Sequence, residues 1–203
     1  MPISPSFAGV ILAAGASSRM GRDKALLPWR GGTFLSSAIE ALQRVTDLVI
    51  VVAGQNSNML APVIYANAAF LLVNPYPEQG QFSSLRRGLE EVLNRGRDAA
   101  MVTLVDRPAP RAETVDKLKK AFLAAGDDVW AVIPEYAGVH GHPIVIGREM
   151  IESFLRAPAA STARDVEHAN QKRIVYAAVE DPLVALNVNT EEDLQKLGAG
   201  PAI

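Results

Sequence analysis

The chain has 203 residues, 49% of them hydrophobic, and a formal net charge of −2. That length and apolar content are enough to bury a core without covalent staples, and the near-neutral charge argues against a broad nucleic-acid footprint. Cysteine is absent, which excludes a disulfide framework and thiolate metal sites.

Met1 to Ser6 has neither the basic region nor the long apolar core of a secretory leader. No apolar run approaches the ~20 residues of a membrane span. The expectation is a cytoplasmic protein of one domain, with its core over about residues 7–197.

Phe7 to Ala14 is apolar, too short for a helix and rich in β-compatible residues, which predicts a buried parallel strand. It stops at Gly15 and opens into small residues followed by Arg19, Gly21 and Lys24. A strand ending in such a turn exposes backbone N–H groups that can cradle phosphate, and two cations suit a polyphosphate. An ordinary βα turn with surface cations would show the same glycines. The spacing fits neither a Walker loop nor a dinucleotide fingerprint.

Thr33 is placed to cap a helix carrying Phe34, Leu35, Ala38, Leu42 and Val45. A strand is expected at Leu48–Ala53, and a short helix within residues 55–65 that Pro62 interrupts. A third strand, Ala69–Val73, runs into the turn-dense stretch Asn74–Gly80. From Phe82 to Asn94 the periodicity is helical, with Leu85, Leu89, Val92 and Leu93 on one face. Ser83 and Ser84 stand where that helix begins; there they can cap it, or offer hydroxyls to a base edge or ribose.

Ala99–Val105 predicts a fourth buried strand, a helix follows from about Ala112 to Ala124, and Val129–Ile133 a fifth strand. Strands alternating with helices mean a parallel sheet with right-handed crossovers. Asp106 comes directly after the fourth strand, at the sheet edge where open α/β folds bind ligands. A carboxylate there can hold Mg²⁺, which favours one or two carboxylates beside phosphate oxygens and waters. An Asp opening a turn before Pro108 is the plainer reading.

Beyond Pro134 the pattern loosens. His140 and His142 lie at i, i+2 on an extended segment and are expected on one side, before a strand at Ile144–Ile146. Helices near Arg148–Leu155 and Thr162–Ala169, a strand at Arg173–Val179 and a short strand and turn at Leu183–Thr190 complete the series. Thr190 and Asp193 form a capping pattern for a last helix. The fold expected is a Rossmann-like three-layer α/β/α arrangement, its sheet mostly parallel with a small antiparallel addition.

The string Leu12-Ala-Ala-Gly-x-Ser-x-Arg-Met-Gly-x-x-Lys24 resembles the signature of the nucleotidyltransferases that build molybdenum cofactor dinucleotides. It is also similar to the wider group of sugar-nucleotide and cytidylyl-methylerythritol synthetases. By this resemblance, Leu12, Ala13, Ala14, Gly15, Ser17, Ser18, Arg19 and Lys24 wrap a triphosphate. Arg19 would hold the outer phosphates and Lys24 the α-phosphate. Asn74, Gly80, Ser83 and Ser84 would join the nucleotide pocket. Asp106, with Asn189, would hold Mg²⁺, or Mn²⁺ in its place. His142 and Arg164 would face the acceptor, although His140, Ser161 and Arg107 depart from the family's usual residues.

Lys24, Arg19 and Asp106 are thus the catalytic candidates. By the same resemblance, Ala14 before Gly15 implies CTP over GTP, and the family implies molybdopterin as the phosphorylated acceptor, pyrophosphate as the leaving group and a molybdoenzyme as the candidate protein partner. Nothing in the sequence points to nucleic acid or membrane as partner. Two other readings stand beside this one: transfer to another acceptor such as a sugar or polyol phosphate, or from GTP, and a non-catalytic nucleotide-binding accessory protein.

Overall fold

A computed structural model describes residues 5–15 and 23–198. The elements run β1 (Phe7–Leu12), β2 (Pro28–Trp29), β3 (Gly32–Thr33), α1 (Phe34–Gln43), β4 (Leu48–Ala53), α2 (Ser57–Ala66), β5 (Phe70–Val73), α3 (Gln81–Asn94) and β6 (Ala99–Leu104). They continue as α4 (Ala112–Ala124), β7 (Ala131–Tyr136), β8 (Val139–His140), β9 (Ile144–Gly147), α5 (Arg148–Arg156), α6 (Ala163–Ala169), β10 (Ile174–Ala178) and α7 (Glu191–Gly198).

One sheet runs β10-β7-β9-β6-β1-β4-β5, with β8 added on β7. The β6–β1–β4–β5 half is parallel throughout, as is the β7–β10 pair. Between them β9 runs antiparallel to both β6 and β7. The strand ends of β1, β4, β6 and β7 therefore share one edge. The outer hairpin β2–β3 stands apart.

β1 is buried along its whole length because helices cover both faces, as the unbroken apolar run requires. On one face α1, α2 and α4 contribute Leu35, Leu42, Ile64, Val115 and Leu118 to the core. On the other, α3, α5 and α6 contribute Leu89, Val92, Ile151, Phe154 and Val166. The result is the expected α/β/α layering.

Local signals explain the helix starts. The Thr33 hydroxyl accepts from Ser36 N, and the Ser36 hydroxyl accepts from Thr33 N, a reciprocal cap for α1. Thr162 and Asp165 do the same for α6, and Thr190 and Asp193 for α7. Among the described residues no helix is long and apolar enough to cross a membrane.

The structure departs from the sequence reading in three places. Pro62 lies inside α2 without breaking it. The ring is exposed, and the carbonyl it deprives of a donor belongs to a helix face that water can reach. The fifth strand begins at Ala131, two residues later than expected. Leu183–Thr190 is not a strand: a 3₁₀ turn at Pro182–Ala185 leads into an extended strap. Its Leu183, Val184 and Val188 are buried, but its hydrogen bonds go to scattered partners, so no ladder forms. Asp181 anchors the strap's start by accepting from Arg111 N (2.7 Å), Thr114 Oγ1 (2.9 Å) and Leu183 N (3.1 Å).

Candidate active site

The site lies at the carboxyl edge of β1, β4 and β6. Chain direction brings three segments there: the loop after β1, the turn after β6 and the strap that returns before α7. Ala13 N donates to Val52 O at 2.8 Å and Val105 N to Leu12 O at 3.0 Å, extending the pairing just past the strands.

Asp23 and Asn56 brace the loop after β1. Asp23 accepts from Ala25 N at 2.9 Å and caps a 3₁₀ turn over Lys24–Leu26. Asn56 donates to Asp23 Oδ2 at 2.6 Å and to Ala13 O at 2.9 Å, and accepts from Gly54 N at 3.0 Å. Sequence reasoning missed both residues, since neither belongs to a recognisable spacing. Their work is to hold the turn that presents Lys24.

Lys24 Nζ donates to Asn189 Oδ1 at 2.8 Å and lies 3.5 Å from Asp106 Oδ2. The Lys24 side chain is only 14% exposed and that of Asp106 27%, so this pair is screened less than a surface ion pair would be. The second carboxylate oxygen, Asp106 Oδ1, is shielded from solvent and lacks a hydrogen-bond partner among the described residues. Asp106 O accepts from Val188 N at 2.9 Å, tying the turn directly to the strap that carries Asn189. Asn189 N in turn donates to Asp193 Oδ2 at 2.9 Å, so helix capping and placement beside Lys24 coexist.

The donor set here is oxygen: one carboxylate with a shielded, unpartnered oxygen and one amide oxygen. Among the described residues there is no group of three or more His, Cys, Asp or Glu that could hold a metal ion. Two oxygens, with phosphate and water completing the shell, suit Mg²⁺ or Mn²⁺ rather than zinc. Asp106 and Asn189 therefore fit such an ion.

Ala13 is buried, Ala14 half-buried and Gly15 exposed, so the chain surfaces at Gly15. Ser17, Ser18 and Arg19 lie outside the described residues. Asn74 is 4% exposed. Its amide donates to Ser83 Oγ and Ser84 Oγ, both at 2.9 Å, and its oxygen accepts from Tyr76 N at 3.0 Å. Ser84 is itself buried. These two residues hold the loop closed from within, while half-buried Ser83 stands nearer its surface. Gly80 takes φ +90°, a left-handed turn into α3 that favours glycine.

The two histidines have different neighbours. His140 stacks on Tyr176 with ring centres 3.9 Å apart and pairs with Glu135 at 3.2 Å. His142 follows Gly141 beyond the end of β8, joins Pro143 through a cis peptide and feels the charge of Arg107. The two rings share none of these neighbours, and β8 ends at His140, so the strand's two-residue alternation does not carry through to His142.

Burial, and then the charge of Arg107, push the His142 imidazole down to about 3, and its shielded Nδ1 has no partner among the described residues. Burial also lowers Arg107, with Asp106 opposing it. Arg164 is exposed on α6, near Glu167, whose carboxyl is raised by burial against the charges of Arg164 and His140. Among the described residues the structure gives Arg164 no hydrogen bond to Lys24, Asp106 or Asn189.

Residues 9–174 match the MobA-like NTP transferase domain. The chain is 28% identical over 186 residues to the molybdenum cofactor cytidylyltransferase of Escherichia coli (strain K12), covering 91% of each. It is 34% identical over 203 residues to the molybdenum cofactor guanylyltransferase of Xanthomonas euvesicatoria pv. vesicatoria (strain 85-10), covering 97% of each. Its fold also matches the crystal structure of Rv0371c from Mycobacterium tuberculosis H37Rv in complex with manganese. There the TM-score is 0.76 at 23% identity, over 95% of this chain and 97% of that one.

Proposed function

The chain belongs to the MobA-like NTP transferase family, and from that premise we propose that it transfers CMP from CTP to the phosphate of molybdopterin, releasing pyrophosphate. The observation that carries the reading is the convergence of Lys24, Asp106 and Asn189 at the carboxyl edge of the sheet, beside the loop after β1.

Asp106 and Asn189 would hold Mg²⁺ or Mn²⁺, which when bound neutralises charge on the phosphate oxygens. Lys24, whose ammonium carries three rotatable donors, turns toward the α-phosphoryl oxygens when the triphosphate enters. Arg19 holds the outer phosphates. An oxygen of the acceptor's phosphate attacks the α-phosphorus in line. The bond from the α-phosphorus to the bridging oxygen breaks, and pyrophosphate leaves with the electron pair. A phosphomonoester is largely dianionic at neutral pH, so its attacking oxygen needs no general base. Catalysis then rests on positioning and charge stabilisation.

Asn74 and Ser84 shape the base-side loop from inside, leaving Ser83 and the first backbone amides of α3 to meet the nucleotide. The half-buried methyl of Ala14 narrows the floor beneath the base, which favours a pyrimidine. A second reading, GMP transfer from GTP, is favoured by the higher identity to the Xanthomonas guanylyltransferase.

Pyrophosphate release decides between them. With Mg²⁺ and molybdopterin, turnover is expected with CTP and much less with GTP. The reverse preference would replace CTP by GTP. Release only with a sugar or polyol phosphate would replace the acceptor, and release with none would leave a nucleotide-binding accessory protein.

A further inference from the structure

The strap from Asp181 to Asn189 crosses the sheet edge without a ladder of its own, yet Asn189 must stand within reach of Asp106. Three attachments converge on two of its carbonyls. His142 N donates to Val184 O at 2.9 Å. Arg107 Nη1 reaches both Val184 O and Leu186 O at 3.4 Å. Gly141 lies so close that a Cβ there would overlap the carbonyl of Val184. A fourth attachment, Val188 N to Asp106 O, joins the strap to the residue before Arg107.

We infer that Arg107 and Gly141 are positioning residues that clamp this strap, so that the amide oxygen of Asn189 is held opposite the carboxylate of Asp106. The inference rests on the reading of Asp106 and Asn189 as the metal-holding pair.

The chemistry of each residue suits this work. The Nη1 amino group of Arg107 carries two N–H donors and so can serve both carbonyls at once. Its half-buried position beside the acid directs it inward: Arg107 lines a small gap with Thr103, Ala109 and Pro143 rather than an open surface. Glycine at 141 lets two backbones touch, and no other residue leaves that space. Leu186 and Asn189 are three residues apart, about 10 Å at full extension, with the Val188 N–Asp106 O bond between them, so the clamp holds the metal-holding amide together with that bond.

The test uses the full-length chain with Arg107→Met, Arg107→Lys and Gly141→Ala. Hydrogen exchange is followed in residues 183–189 and in β4 as an internal standard. Mn²⁺ affinity is measured by electron paramagnetic resonance with CTP present, and KM is determined for acceptor and for nucleotide. With Arg107→Met and Gly141→Ala, exchange in 183–189 is expected to quicken about tenfold and Mn²⁺ to bind about tenfold more weakly, the scale on which residues supporting metal ligands act. Exchange in β4 should not change, and Arg107→Lys should restore part of both effects.

Wild-type exchange and wild-type Mn²⁺ affinity in the Arg107→Met protein would overturn the inference. So would a rise confined to the acceptor's KM, which would make Arg107 a substrate contact. Should Gly141→Ala fail to fold, the two Arg107 variants decide. If the unaltered protein took up no Mn²⁺ even with CTP, the metal-holding reading would fall, and exchange alone would decide whether the clamp exists.

Discussion

Lys24 and Asn189 are 165 positions apart in the sequence, and the ammonium of the first meets the amide oxygen of the second at 2.8 Å. The same ammonium is 3.5 Å from Asp106. A monovalent cation thus already lies between the carboxylate and the amide that would take a divalent one.

Lys24→Met should therefore separate metal binding from catalysis. Removing the ammonium relieves repulsion of the incoming ion, and two unit charges 4 Å apart near a protein surface exchange about 4 kcal/mol. Even a fraction of that, about 1.4 kcal/mol, corresponds to a tenfold change. Without nucleotide, the variant should bind Mn²⁺ about tenfold more tightly than the unaltered protein, while pyrophosphate release falls by about 10²–10³. Weaker Mn²⁺ binding in the variant would mean that Lys24 supports the ion rather than competing with it.

Asp106→Asn tests the carboxylate itself. Its Oδ1 is shielded and lacks a partner among the described residues, while Oδ2 faces the Lys24 ammonium at 3.5 Å, a contact that an amide oxygen can keep. The strap is attached through the backbone carbonyl of Asp106, which the substitution keeps. Turnover should drop by about 10²–10³ with a melting temperature within a few degrees of the original. A large fall in melting temperature with turnover retained would make Asp106 a structural residue.

What could be read in the sequence, and what could not, follows from the range of each interaction. β1, β4 and β6 were legible because strands buried on both faces are continuous apolar runs. The caps at Thr33 and Thr190 were legible because both partners lie within four positions. The strap at 183–188 was not. Its Leu183, Val184 and Val188 imitate a strand, but it is fixed by Asp181, Gly141 and Arg107, none of which forms a periodic pattern with it. Asp23 and Asn56 stayed hidden for the same reason, their partnership spanning 33 positions. The meeting of Lys24 and Asp106 was foreseen from topology, since both follow strands that end at one edge.

Asn74→Ala should weaken both the fold and the nucleotide site. The side chain is buried and joins Ser83, Ser84 and Tyr76. Truncation leaves those groups without their partner, at about 1–3 kcal/mol for a buried polar group left unsatisfied. A lower melting temperature and a raised KM for nucleotide, with the metal requirement unchanged, is the expected combination. An unchanged KM beside a lowered melting temperature would confine Asn74 to stability and remove the 74–84 loop from the nucleotide site.

The pH dependence of stability should carry the mark of His142. Its imidazole is pushed down from 6.5 to about 3, first by burial and then by the Arg107 charge. In the unfolded chain it titrates near 6.5. Below that pH the unfolded state binds a proton that the folded state refuses, so stability is complete above about 6.5 and is lost as pH falls toward about 3, by at most about 1.4 kcal/mol per pH unit. Glu167, raised by burial, acts in the opposite sense, gaining stability as pH falls. Asp98 and Asp165, lowered by their hydrogen bonds, lose stability only as pH drops through the carboxylate range. These groups are common to both proteins when the unaltered chain is compared with His142→Gln, so their effects cancel. Denaturant midpoints between pH 7.5 and 4.5 should fall more steeply in the unaltered chain, because glutamine has no proton to take up on unfolding. Parallel curves would place the imidazole in contact with solvent and free to ionise in the folded state.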